Sequence, residues 1–92
     1  MQENRCVSIT IKGRVQGVGF RYHTQNAAQK FGIKGFVKNM QDGSVYIEAC
    51  GDKRNLDLFI DWCRKGPVLA RVKDIFVNET PPQNFNAFNV TY

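Results

Sequence analysis

Ninety-two residues is the length of one domain and too short for two independent cores; 42% hydrophobic and 12% aromatic content fills one. Thirteen Lys and Arg against eight Asp and Glu leave a net charge of +5, which favours anionic partners: phosphorylated metabolites, nucleic acid or acidic lipid. No run approaches the roughly 18 apolar residues of a membrane span, and the start Met1-Gln2-Glu3-Asn4-Arg5 is polar with no secretory segment behind it, so one cytoplasmic domain over residues 1–92 is expected.

Cys6 to Lys12 alternates, with Val7, Ile9 and Ile11 on one side and Cys6, Ser8, Thr10 and Lys12 on the other, the period of a half-buried strand. After the glycine-bearing stretch Gly13 to Gly19, Phe20 to Phe31 carries Thr24, Ala27, Ala28 and Phe31 at helical spacing, with Gly32 as a C-terminal cap. Lys34 to Asn39 reads as a short strand, Met40-Gln41-Asp42-Gly43 as a turn, and Ser44 to Cys50 as a strand facing Val45, Ile47 and Ala49 inward. A second helix starts at the cap Asp52, places Leu56, Phe59, Ile60 and Cys63 on one stripe, and stops at Gly66-Pro67. Arg71 to Asn78 forms a fourth strand. Thr80-Pro81-Pro82-Gln83-Asn84 reads as a loosely packed connection to a fifth strand, Phe88 to Tyr92.

This order predicts an α+β, ferredoxin-like β-α-β-β-α-β sandwich: an antiparallel sheet, an extra C-terminal edge strand, and two helices on one face. The third strand then lies between the first and second, and the C-terminal ends of those two emerge at one rim. Pairing Val7 with Ala49, Ile9 with Ile47 and Ile11 with Val45 sets Cys6 opposite Cys50 at about 4.5–5.5 Å, so these two can form a disulfide, kept mostly reduced in a cytosol. Cys63 stays in the helix as a small core residue. Three scattered cysteines and one histidine argue against a structural zinc site, and His23 reads as an ordinary helix-surface residue.

Gly13-Arg14-Val15-Gln16-Gly17-Val18-Gly19-Phe20-Arg21 joins the first strand to the first helix. Its glycines free the backbone, and the following helix directs unpaired N–H groups outward, which suits the loop to an anion. It lacks the Gly-Lys-Ser/Thr ending of a nucleotide P-loop, and Tyr22 stands where a dinucleotide fingerprint needs glycine. Arg21 offers a planar fork of donors matched to phosphate; at a helix N-terminus its charge opposes the dipole, and an anion would compensate. Asn39 ends the second strand at the same rim, about 10 Å away with one strand between.

Gly13 to Arg21, together with Gly35-Phe36-Val37-Lys38-Asn39, Asp42-Gly43-Ser44-Val45 and Ala49-Cys50-Gly51, resembles the acylphosphatase family over essentially the whole chain. The resemblance implies hydrolysis of acyl phosphates to a carboxylate and inorganic phosphate, with no metal and no organic cofactor. By motif position it implies that Arg21 binds the phosphoryl group with the backbone N–H groups of Gln16, Gly17, Val18, Gly19 and Phe20, and that Asn39 orients the attacking water. The chemistry agrees: a carboxylate is a weakly basic leaving group needing no strong general acid, and phosphoryl transfer is accelerated chiefly by positioning and charge stabilisation. Phosphate or sulfate is expected as a competitive ligand of a monomer that needs neither nucleic acid nor membrane.

Two other classes compete. Lys34-Gly35-Phe36-Val37 begins like the Lys-Gly-Phe run of RNA-binding modules, but Lys38-Asn39 interrupts it and Tyr46 alone is a thin stacking platform. A non-catalytic acylphosphatase-like binding domain, of the kind fused to larger proteins, is the other alternative; the free-standing length argues against it. Metal-dependent phosphatase chemistry is disfavoured because Asp42 is the one acid near that rim.

Overall fold

A computed structural model describes residues 4–92; the polar start Met1-Gln2-Glu3 lies outside the described residues. Five strands, β1 (Asn4–Arg14), β2 (Lys34–Asn39), β3 (Val45–Asp52), β4 (Arg71–Thr80) and β5 (Phe88–Thr91), and two helices, α1 (Phe20–Phe31) and α2 (Lys53–Lys65), follow the predicted order, and the fold is ferredoxin-like. The sheet order is β4-β1-β3-β2-β5. β3 lies antiparallel between β1 and β2, with Val7 opposite Ala49, Ile9 opposite Ile47 and Ile11 opposite Val45. A slip of one residue would turn this whole apolar set to the open face, so burial fixes the register.

The core forms where that set meets the helices: Ile9, Ile11, Val37 and Ile47 of the sheet pack against Phe20 and Ala28 of α1 and Leu56 and Phe59 of α2. Helix ends obey local chemistry. Gly32 takes the left-handed conformation after α1 and its N–H bonds back to Ala28 and Gln29. Asp52 closes β3 and caps α2, accepting the Asn55 main-chain N–H at 2.8 Å.

Strands β1 to β4 pair antiparallel as expected, and the extra edge strand β5 runs parallel to β2, Gly35 beside Phe88 and Lys38 beside Thr91, which makes the complete sheet mixed. The cause is topological: β4 ends at one edge of the sheet, and a chain that crosses at that end must enter β5 running back in the direction of β2. One expectation needs correction: the connection from β4 to β5 is not loosely packed. Residues 81–87 must span four strand intervals, about 19 Å, with a reach of about 24 Å when extended, so they form a taut strap. The Gln83 main-chain N–H donates to Cys6 Sγ at 3.3 Å, its side-chain amide donates to Glu48 at 3.0 Å, and Phe85 packs edge-on against Phe36.

Candidate active site

Between β1 and α1 the chain alternates in role. Val15 and Val18 are buried, 1% and 9% exposed, and pin the loop to the core, while Gly17 and Gly19 adopt φ of 75° and 76°, which residues with a Cβ rarely take. Among the described residues, no acceptor meets the main-chain N–H groups of residues 16–21. Gly19 begins α1 without a side-chain cap, the first turn holds no acid, and the first helical bond runs from the His23 N–H to the Gly19 carbonyl at 3.0 Å. The positive end of a helix dipole, several open donors and an arginine therefore coincide.

Arg21 is half-buried and is held by β5: its Nη1 donates to the Thr91 carbonyl at 3.3 Å, and its guanidinium lies 4.6 Å from the centre of the Tyr92 ring. Gln25, one turn along α1, donates to the Phe88 carbonyl at 3.1 Å and fixes the same edge strand to the helix. These partners could not be read from the sequence. They depend on β5 lying beside β2 and running parallel to it, and no local pattern specifies that edge.

Asn39 pairs with Val45 in the last rung of the β2–β3 ladder. The turn beyond it is closed by the Met40 N–H on the Ser44 carbonyl at 2.8 Å. The Asp42 carboxylate accepts from both the Ser44 hydroxyl and the Ser44 N–H, and these bonds hold its pKa below the usual carboxylate value. Across the rim, Gln16 Nε2 donates to the Met40 carbonyl at 2.8 Å and the Ser44 carbonyl at 2.9 Å.

One cleft of about 350 Å³ brings together Gln16, Gly17, Gly19, Phe20, Arg21 and Asn39, with Tyr22 and Tyr92 at its margin. Val18 differs from the other loop residues: its side chain turns away, toward a groove beside Trp62. His23 is exposed and meets the Tyr22 ring edge-on, outside the cleft. Cys6 and Cys50 sit at the opposite rim, joined by a disulfide with a Cα separation of 4.1 Å, shorter than the expected 4.5–5.5 Å. Cys63 is fully buried in α2, and burial drives its thiol pKa far above the ordinary range. Among the described residues, no group of three or more His, Cys, Asp or Glu side chains is assembled for a metal, and no helix is long and apolar enough to cross a membrane.

Fold and site together define a small ferredoxin-like α+β protein with a basic cleft at the rim where β1, β2 and β5 end. A sequence profile of acylphosphatases matches residues 7–90. The acylphosphatase of Lactiplantibacillus plantarum is 47% identical over 88 residues, covering 95% of this chain and 98% of its own. The crystal structure of acylphosphatase from Bacillus subtilis superposes with a TM-score of 0.93 at 38% identity, over 96% of this chain and 99% of that one. Full-length HypF contains a similar region, TM-score 0.90 at 30% identity, which spans 100% of this chain and 12% of HypF. The chain belongs to the acylphosphatase family.

Proposed function

We propose that the chain performs its family's reaction, hydrolysis of an acyl phosphate to a carboxylate and inorganic phosphate, by direct attack of a water on phosphorus. The observation that carries this is that Arg21, Asn39 and the loop residues Gln16, Gly17, Gly19 and Phe20, whose main-chain N–H groups are open, line one cleft. The loop and Arg21 bind the phosphoryl oxygens and stabilise the charge that builds on them in a loose transition state. Arg21 suits the task because β5 holds it with a carbonyl and a ring, which leave its charge unneutralised. Asn39 has no basic nitrogen, but its amide both accepts from and donates to a water, and so can place one in line with the scissile bond. The water oxygen bonds to phosphorus, the P–O bond to the acyl group breaks with its electron pair leaving on the carboxylate, and the water's proton passes to a phosphoryl oxygen of the substrate.

The catalyst is a cytoplasmic monomer needing no metal, and inorganic phosphate and sulfate compete for the loop. The family's free-standing relatives support a catalytic protein over a binding domain, since the match to the Lactiplantibacillus plantarum enzyme runs over 98% of its length. Two features of the open sheet face disfavour RNA. The Tyr46 hydroxyl donates to Glu48 at 2.8 Å, placing a carboxylate beside the ring, and Phe36 is covered by Phe85 of the strap. The test is hydrolysis of benzoyl phosphate with EDTA present. Turnover undiminished by the chelator and competitively inhibited by inorganic phosphate is expected; no hydrolysis, or hydrolysis lost to EDTA, contradicts the proposal.

A further inference from the structure

We infer that the side chain of Gln16 is a positioning residue: it fixes the distance between the loop that grips the phosphoryl group and the turn that carries Asn39. The inference rests on the activity proposed above and adds a residue to its machinery. Gln16 has been assigned to the loop for its main-chain N–H, a role any residue other than proline can fill. Its side chain does something separate, donating both amide hydrogens across the rim to the Met40 and Ser44 carbonyls at 2.8 and 2.9 Å.

The sheet explains why such a tie is needed. β3 lies between β1 and β2, so no ladder bond joins the loop leaving β1 to the end of β2, two strand spacings or about 10 Å away. The turn is stiff within itself, through Met40 to Ser44 and Ser44 to Asp42, but none of those bonds reaches the loop. Among the described residues, the bonds between loop and turn are the two from Gln16. Their acceptors flank the turn symmetrically, Met40 one residue after Asn39 and Ser44 one residue before Val45, the pair that forms the last rung. One bond would leave the turn free to pivot, whereas two bonds from one planar amide remove that freedom. The residue type is selective too. Glutamate would oppose two carbonyls with no donor, and asparagine is one methylene short. Gln16 thus sets where Asn39 stands relative to phosphorus, and misplacement of such a group by about 1 Å can cost about a hundredfold in rate.

Gln16→Met tests this, because methionine keeps the length and the main-chain N–H while losing both donors. For benzoyl phosphate hydrolysis, kcat is expected to fall about thirtyfold, with KM and the inhibition constant of inorganic phosphate within about threefold of the parent. The decisive comparison is in an Asn39→Ala background. There Gln16→Met should change kcat by less than about twofold, since a residue acting through Asn39 has nothing left to position. A drop that multiplies with Asn39→Ala, a loss that falls on phosphate affinity while kcat survives, or an unchanged kcat each overturns the role. If Gln16→Met does not fold, Gln16→Asn must give the same signature. A parent that hydrolyses no acyl phosphate defeats the proposed activity itself; a parent that does, with any of the overturning results, defeats the Gln16 role alone.

Discussion

The two ends of the sheet are built on opposite terms. At the rim where β3 and β4 finish, donors find acceptors close by: Asp52 caps α2, Gln83 meets Cys6 and Glu48, and the Cys6–Cys50 bond joins β1 to β3. At the rim where β1 and β2 finish, about 25 Å along the strands, the backbone of residues 16–21 keeps its donors open, glycines take left-handed angles, and order comes from single side chains reaching across gaps, Gln16 to the turn and Arg21 to β5. The contrast teaches that this small domain separates holding from doing. Cohesion is concentrated at one end of the central strands, and an arrangement costly in itself, open donors under a cation, is carried at the other, where an anionic substrate makes it favourable.

If that division is right, substitutions at the two rims should move different observables. The largest effect is expected for Arg21→Lys. A point charge cannot reproduce the two-pronged guanidinium contact, so kcat/KM should fall about a thousandfold, or ~4 kcal/mol, while the melting temperature stays within a few degrees. Near-normal turnover would remove Arg21 from the chemistry. Asn39→Ala comes next, at about a hundredfold in kcat or ~3 kcal/mol, with the inhibition constant of phosphate almost unchanged. A destabilised variant of full activity per folded molecule would make Asn39 a turn residue only.

At the far rim the expectation reverses. Reducing the Cys6–Cys50 bond, or replacing Cys50 by Ala, reopens a loop of sequence separation 44 in the unfolded chain and should cost about 2–4 kcal/mol of stability in urea titration, with turnover per folded molecule intact. A loss of turnover without loss of stability would break the comparison. The smallest effect belongs to Asp42. Bonds from the Ser44 hydroxyl and N–H depress its folded pKa below the ordinary 3.8, so its contribution is complete above that value and disappears as the pH falls through the depressed one. The urea midpoint of the parent should therefore decline as acid is added below about pH 4, and Asp42→Asn, which keeps an acceptor but does not titrate, should flatten that decline and change kcat at neutral pH by less than about twofold. An equally steep acid decline in the variant assigns it to other carboxylates.

Much of this was legible beforehand, and what was not has one cause. Val7, Ile9 and Ile11 against Val45, Ile47 and Ala49 declare their register because one face must be buried, and Gly32 and Asp52 mark helix ends through their own backbone chemistry. The loop and Arg21 stand out through glycine spacing at a strand-to-helix junction, whereas Asn39 is placed at the same rim by the expected topology and given its role by the family resemblance. By contrast, Arg21 meets Thr91 across 70 residues and Gln16 meets Met40 across 24, contacts that leave no periodicity in the chain. The strap misleads for a related reason: two prolines with Gln and Asn look like a linker, and only the distance from β4 to β5 makes them taut.

The central claim, that the site rim places a water on phosphorus, is tested most directly by a single turnover of benzoyl phosphate in ¹⁸O-labelled water, with mass analysis of both products. Attack on phosphorus puts one labelled oxygen into inorganic phosphate and none into benzoate. Label in the benzoate carboxylate means attack at the acyl carbon, and would contradict the roles given to the loop, Arg21 and Asn39 together.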